Sequence, residues 1–192
     1  MLRNRRKWWA AAALAALLAL PGTAFGAAFD YGSFNGELGV RFGYGRSSKG
    51  HVTLYSLLPR WGIFLVRPGH TVVGGLGLSF VVEGILSVAD ADGTGAEVGF
   101  TPMLKLSLPL GRAAMFFVEG GAGIISESFS SREVAHAFNF TPQIGAGVDI
   151  ALASRLGLTV AYRFRHSSNA GIYKENPAFN VHFVHAGLTY YY

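Results

Sequence analysis

The chain of 192 residues contains no cysteine. That excludes a disulfide framework and any thiolate-ligated metal site. Charge is also scarce, at 14% of residues. A soluble domain carries about 25%, so much of this surface is not built to face water. After the N-terminus, no segment has the roughly 20 consecutive apolar residues that a membrane-spanning helix needs. Acid is absent from the first 26 residues, which instead carry Arg3, Arg5, Arg6 and Lys7.

That N-terminal stretch has an organisation of its own. "MLRNRRKWW" is a basic head, "AAAALAALLALP" a short apolar run, and "GTAFGA" offers small residues at Ala24 and Gly26. The pattern is that of a secretory signal peptide. Cleavage is expected near Gly26, leaving 27–192 as one domain. Without the leader, 12 basic side chains face 11 acidic ones. The basic character of the whole chain belongs to the export signal, and nothing points to nucleic acid.

What the chain has in quantity is glycine (26 residues), aromatic side chains (14%) and alternation. Ala96, Val98, Phe100, Pro102, Leu104, Leu106 and Leu108 share one parity. Glu97, Gly99, Thr101, Met103, Lys105 and Ser107 share the other. Phe138, Phe140, Pro142, Ile144, Ala146, Val148 and Ile150 repeat the pattern against Asn139, Thr141, Gln143, Gly145, Gly147 and Asp149. Successive strand residues point to opposite faces. One face is therefore apolar and the other polar or small. Eight such segments are expected, at about 30–43, 52–66, 71–88, 96–109, 114–126, 137–151, 156–168 and 179–191.

These segments are as long as membrane strands, which need about 9–11 residues. A closed barrel is the one β-structure that satisfies its backbone in lipid. The expected fold is all-β: an eight-stranded antiparallel transmembrane β-barrel of outer-membrane type, in the bacterial outer membrane. "PLGRAA" and "LASR" read as short periplasmic turns, "ADADGTGA" and "SFSSREVAHA" as longer external loops. "LLPRWGIFLVRPG" is irregular enough to hold a bulge. Glu83 and Glu119 are expected to pair with Arg or Lys inside the barrel. Tyr191 and Tyr192 suit an interfacial aromatic girdle. A soluble barrel with the faces exchanged is the structural alternative.

The seventh segment breaks the rule of an apolar outer row. Leu156, Leu158, Val160, Tyr162, Phe164, His166 and Ser168 share parity, so an imidazole and a hydroxyl continue the lipid-facing side. Asn180 and His182 do the same on the eighth. Side chains at i and i+2 start about 7 Å apart, and a serine needs a neighbouring base to become a nucleophile. A third group must orient the imidazole, and Asn180 is one candidate. The competing account is a strand end that turns polar at the membrane–water boundary. His182 is expected to be an interfacial side chain. His51, His70 and His136 fall in or near connections and His185 has lumen parity, so no metal site is expected.

"FRHSSNAGI" followed by "NP" resembles the active-site segment of the lipid A 3-O-deacylases, the PagL family of outer-membrane esterases. The family pattern His-x-Ser-Asn-Ala-Gly, then Asn-Pro, reads here as His166, Ser168, Asn169, Ala170, Gly171, Asn176 and Pro177. The specific match covers about 15 residues. The resemblance implies hydrolysis of the 3-O-linked acyl chain of lipid A. Ser168 would be the nucleophile, His166 the general base, and Asn176 and the Gly171 N–H the oxyanion donors. It implies no cofactor and no metal. The implied partner is lipid A, or lipopolysaccharide, in the outer leaflet, with a homodimer left open. Where the family has a glutamate to orient the histidine, this chain has Asn180. Asn180 is expected to serve as a neutral orienter, since Glu175 lies in the loop and is expected to be solvated; Glu175 reaching in and loss of activity are the alternatives. The other classes open are a non-enzymatic structural or adhesive barrel and a different lipid A enzyme such as an acyltransferase.

Overall fold

The computed structural model describes residues 27–69, 75–129 and 131–192. The expected signal peptide, 1–26, lies outside the described residues. So do His70 and the start expected for the third strand.

Eight strands form: β1 (Gly36–Ser47), β2 (Thr53–Val66), β3 (Gly77–Asp90), β4 (Thr94–Leu110), β5 (Ala114–Glu127), β6 (Phe138–Ala153), β7 (Leu156–Ser167) and β8 (Phe179–Tyr191). Each pairs antiparallel with the next, and β8 closes on β1. Closure leaves no unpaired edge, which is the condition for β-structure in lipid. Alternation sorts the side chains as the sequence pattern predicts. Val98, Phe100, Leu104 and Leu106 are about half exposed on the outer wall, while Glu97, Thr101, Lys105 and Ser107 are buried in the lumen. The outward apolar rows, including Leu38, Val40, Phe42 and Tyr44 on β1, give the outer wall the apolar character of an outer-membrane barrel.

The lumen is filled rather than open, as eight strands require. Glu119 lies within 2.7 Å of both Arg41 and Arg60 and also pairs with Arg163, which in turn pairs with Glu83. Lys105 bridges Glu37 and Asp149, and Arg165 grips Glu97 through both terminal nitrogens. Glu83 and Glu119 thus have the arginine partners expected of them. Each of these charges is buried and is supportable because it is paired. Gly147 makes this packing possible. A Cβ there would stand 2.5 Å from Val160 O and 2.6 Å from the Phe117 ring, the ring over which Arg41 and Lys105 lie.

Both ends are stoppered by apolar side chains. At the end that carries the β5–β6 loop, Phe129 and Val134 pack on Val52, Leu54, Phe179, Val181 and Phe183. At the end where β1 starts and β8 finishes, Phe29 and Phe34 pack on Met115, Ala151 and Tyr191. Tyr31 closes this plug, its single hydroxyl proton shared between Gly111 O at 2.9 Å and Ala114 O at 3.0 Å. Burial pushes the Tyr31 phenol up to about 12, so it stays a donor at any ordinary pH.

Four expectations change. β1 begins at Gly36, not near 30, because Tyr31–Ser33 form a 3-10 turn that tucks Phe34 beneath the barrel. "ADADGTGA" is no long loop: β3 and β4 pair out to Asp90 and Thr94, leaving 91–93 as the turn. β3 begins at Gly77, not near 71. Tyr191 is not in a girdle; it is buried, stacked on Phe34 at 4.3 Å, with its hydroxyl donating to Asp149 at 2.6 Å. Its parity is that of the lumen, and parity prevails over residue type. The bulge expected in β2 is present, between Phe64 and Val66.

Candidate active site

The site is built where β7 and β8 run out into loop 168–178. His166 on β7 lies directly across from Asn180 on β8. Both are half-buried on the outward row, while Ser167 between His166 and Ser168 is buried in the lumen. The His166 Nδ1 and Asn180 Oδ1 atoms are 2.7 Å apart. An amide oxygen can only accept, so this contact fixes the proton on Nδ1 and leaves Nε2 with its lone pair free. Glu175, the other orienter considered from sequence, points elsewhere. Its carboxylate is 3.5 Å from His136 Nε2 and mostly exposed.

Ser168 is one residue beyond β7 but not loose. Its N–H donates to Phe140 O at 3.1 Å, and its carbonyl accepts from Phe140 N–H at 2.8 Å. That bridge holds it against β6. Among the described residues no side-chain hydrogen bond joins Ser168 to His166. Catalytic hydrogen bonds of this kind commonly tighten only when substrate is bound.

The loop that follows is organised by Asn169. Its side chain donates to Glu175 O at 2.8 Å and accepts from Gly171 N–H at 2.9 Å, and its own N–H donates to Asn176 Oδ1 at 3.0 Å. Gly171 has φ +82 and Ala170 φ +53. The chain thus turns through two left-handed residues, the second a glycine, whose missing Cβ suits it to that conformation. The clamp gives Asn176 a fixed orientation: with Oδ1 accepting, its amide nitrogen is the end left to donate outward. The Gly171 N–H, by contrast, is engaged by Asn169 in this state.

Sequence reasoning missed two features. Asn169 was part of the motif without a task of its own. His182 is also more than an interfacial side chain: its Nδ1 lies 2.6 Å from the Tyr162 hydroxyl and its Nε2 3.1 Å from Ser48 Oγ. Shared outward parity of Tyr162 and His182 was available as a signal. Ser48 was not, because its approach depends on β8 closing on β1. His185 is buried in the lumen, as its parity requires.

A family model for "Lipid A 3-O-deacylase (PagL)" matches residues 61–189. The chain belongs to the lipid A 3-O-deacylase (PagL) family. The match takes in every residue of the β7–β8 site. Among curated proteins, the chain is 36% identical over 80 residues to a lipid A deacylase PagL of Bordetella bronchiseptica. That alignment spans 40% of this chain and 40% of the relative's length. Among solved structures it is similar to the outer membrane enzyme PagL, with a TM-score of 0.59 and 19% identity, covering 78% of this chain and 97% of that one. It is also similar to Neisserial surface protein A, at a TM-score of 0.51 and 12% identity, covering 83% and 97%. At these identities the structural likeness establishes the fold, an eight-stranded barrel of outer-membrane type.

Proposed function

We propose that this member of the PagL family is an outer-membrane esterase that removes the 3-O-linked acyl chain of lipid A, using Ser168 and His166 on the lipid-facing wall. The observation that carries the reading is the 2.7 Å contact between His166 and Asn180, beside Ser168, on a row that is otherwise apolar. An imidazole with its Nδ1 proton committed has one nitrogen left to act as a base, and it faces the side from which a lipid arrives.

In the proposed reaction, His166 Nε2 takes the Ser168 hydroxyl proton as Oγ attacks the ester carbonyl. The tetrahedral anion accepts from the Asn176 amide and from the Gly171 N–H, which shifts to it from Asn169 Oδ1. Collapse breaks the bond to the sugar oxygen, and His166 returns the proton to that oxygen. Water, deprotonated by the same imidazole, then attacks the acyl-serine and frees the fatty acid. Substrate enters laterally from the outer leaflet, because the filled lumen has no room for it. Asn180 orients His166 but adds no charge to stabilise the imidazolium.

The test is mass spectrometry of lipid A from cells that express the wild type or Ser168→Ala. The wild type is expected to release a 3-hydroxy fatty acid, and the folded variant to release none. Undiminished release from Ser168→Ala overturns the assignment of the nucleophile.

A further inference from the structure

We infer that Arg46, with Ser48 and His182 beside it, forms an anion subsite on the outer wall that takes a phosphate monoester of the lipid headgroup. The inference rests on the esterase reading above and names what else the same substrate touches.

The geometry starts from the seam where the barrel closes. Arg46 is the last outward residue of β1, directly across from His182 on β8 and from Thr53 on β2. Two residues along β8 is Asn180, across from His166. Adjacent strands are about 4.8 Å apart and residues rise about 3.3 Å, so the backbones of Arg46 and His166 are roughly 12 Å apart. A long arginine side chain spans much of that gap. Both ends of one sugar-phosphate headgroup can therefore be engaged together.

Arg46 is unlike the other strand arginines. Arg41, Arg60, Arg163 and Arg165 are buried in the lumen and each meets a carboxylate. Arg46 is exposed on the lipid-facing row, and among the described residues it has no acidic partner. At the external rim of the wall an exposed arginine reaches the headgroup region, where a headgroup anion can answer its charge. Arginine's planar fork suits phosphate in particular. His182 is held by Tyr162 and Ser48 rather than left to rotate, and the Arg46 guanidinium lies over Gly50 of the adjoining turn, on the same rim. Lys49 follows in the same loop and is exposed.

A second observation lies immediately below. The outer wall of β1–β4 carries a hollow of about 540 Å³, lined by Phe42, Tyr55, Leu57, Leu86, Val88 and Val98. Tyr55 is two residues down β2 from Thr53. A lipid with its phosphate on Arg46 has a place for an acyl chain there, on the far side of the seam from Ser168. The substrate would then straddle β8 and β1, with the scissile ester over β7.

The experiment uses the full-length exported protein in detergent micelles, with phosphorylated and dephosphorylated lipid A as substrates. Arg46→Gln is expected to lose about tenfold in kcat/KM on the phosphorylated lipid, the size of one charge-assisted hydrogen bond, and nothing on the dephosphorylated lipid. Arg46→Lys should recover only part of the loss, because it restores the charge but not the fork. An equal loss on both substrates, or none on either, overturns the subsite. Inorganic phosphate that inhibits the wild type but not Arg46→Gln shows that a free anion can fill the subsite. Absence of that inhibition assigns it to the lipid's own phosphate. If the wild type hydrolyses neither lipid, the esterase reading fails and the subsite is judged by calorimetric binding to Ser168→Ala. Weaker binding of the phosphorylated lipid after Arg46→Gln then supports it, and unchanged binding overturns it.

Discussion

Asn180→Asp is the substitution that most directly separates orientation from charge. In the structure Asn180 Oδ1 lies 2.7 Å from His166 Nδ1, so the amide already selects the productive tautomer. In a serine protease, replacing the triad aspartate by asparagine costs about 10⁴ in rate because the imidazole takes the wrong tautomer. That penalty does not apply where the amide oxygen, rather than the nitrogen, faces the ring. What remains missing is the stabilisation of the imidazolium as it forms. A hydrogen bond to a charged group contributes about 1.5–3 kcal/mol against 0.5–1.5 for a neutral one. The difference is about 1–2 kcal/mol, or roughly 5–30-fold in rate. The pair is half-buried, so solvent screening favours the lower part of that range. Aspartate has the same length as asparagine and keeps the contact. Asn180→Asp should therefore raise kcat about five- to tenfold, while Asn180→Ala should lower it, both with KM little changed. The assay is the initial rate of fatty-acid release from micellar lipid A. If Asn180→Ala matches the wild type and Asn180→Asp gains nothing, Asn180 does not orient His166 and the reasoning is wrong.

Two other substitutions test how the site and the barrel are held. Asn169→Ala removes the two side-chain hydrogen bonds that organise loop 168–178; fatty-acid release should fall at least tenfold, while the temperature of unfolding on a heat-modifiability gel stays within a few degrees of wild type. Glu119→Ala leaves Arg41, Arg60 and Arg163 short of a carboxylate in the sealed lumen; a loss of about 3–5 kcal/mol should appear as unfolding at clearly lower temperature or denaturant concentration, and equal stability would refute the description of the network.

The barrel was legible because the side-chain period of a strand is two and the bilayer enforces it over long segments. Once parity was set, the lumen fate of Glu83, Glu119 and His185 followed, and so did the outward placement of His166, Ser168 and Asn180. Parity failed where the chain is not a strand. "FDYGSFNG" carries no alternation, so nothing announced that Phe34 would fold under the barrel and find Tyr191. Residue type misled at Tyr191, whose aromatic ring suggested a girdle although its parity pointed inward. The loop clamp was hidden for another reason. Asn169, Gly171, Glu175 and Asn176 meet through local backbone turns at positive φ, which sequence spacing does not encode. Ser48 could be joined to His182 only by the closing of β8 on β1, the longest-range pairing in the chain.

The separation of charge by face is what gives the outer wall its meaning. A filled eight-stranded barrel must pair its lumen charges, and here each buried arginine meets a carboxylate. Those groups are explained by folding alone. Nothing in barrel closure calls for a half-buried histidine beside a serine on the outer wall, nor for an arginine there without an acid. Leu, Val or Phe at 46, 166 or 182 would continue the apolar rows already formed by Val40, Phe42 and Tyr44, or by Tyr162 and Phe164. Lipid contact would improve and no lumen pair would be disturbed. Barrel closure does not require these polar side chains. All three lie on adjacent strands β7, β8 and β1, at the external rim. A single lipid headgroup can reach all of them, and a ligand drawn through the lumen can reach none.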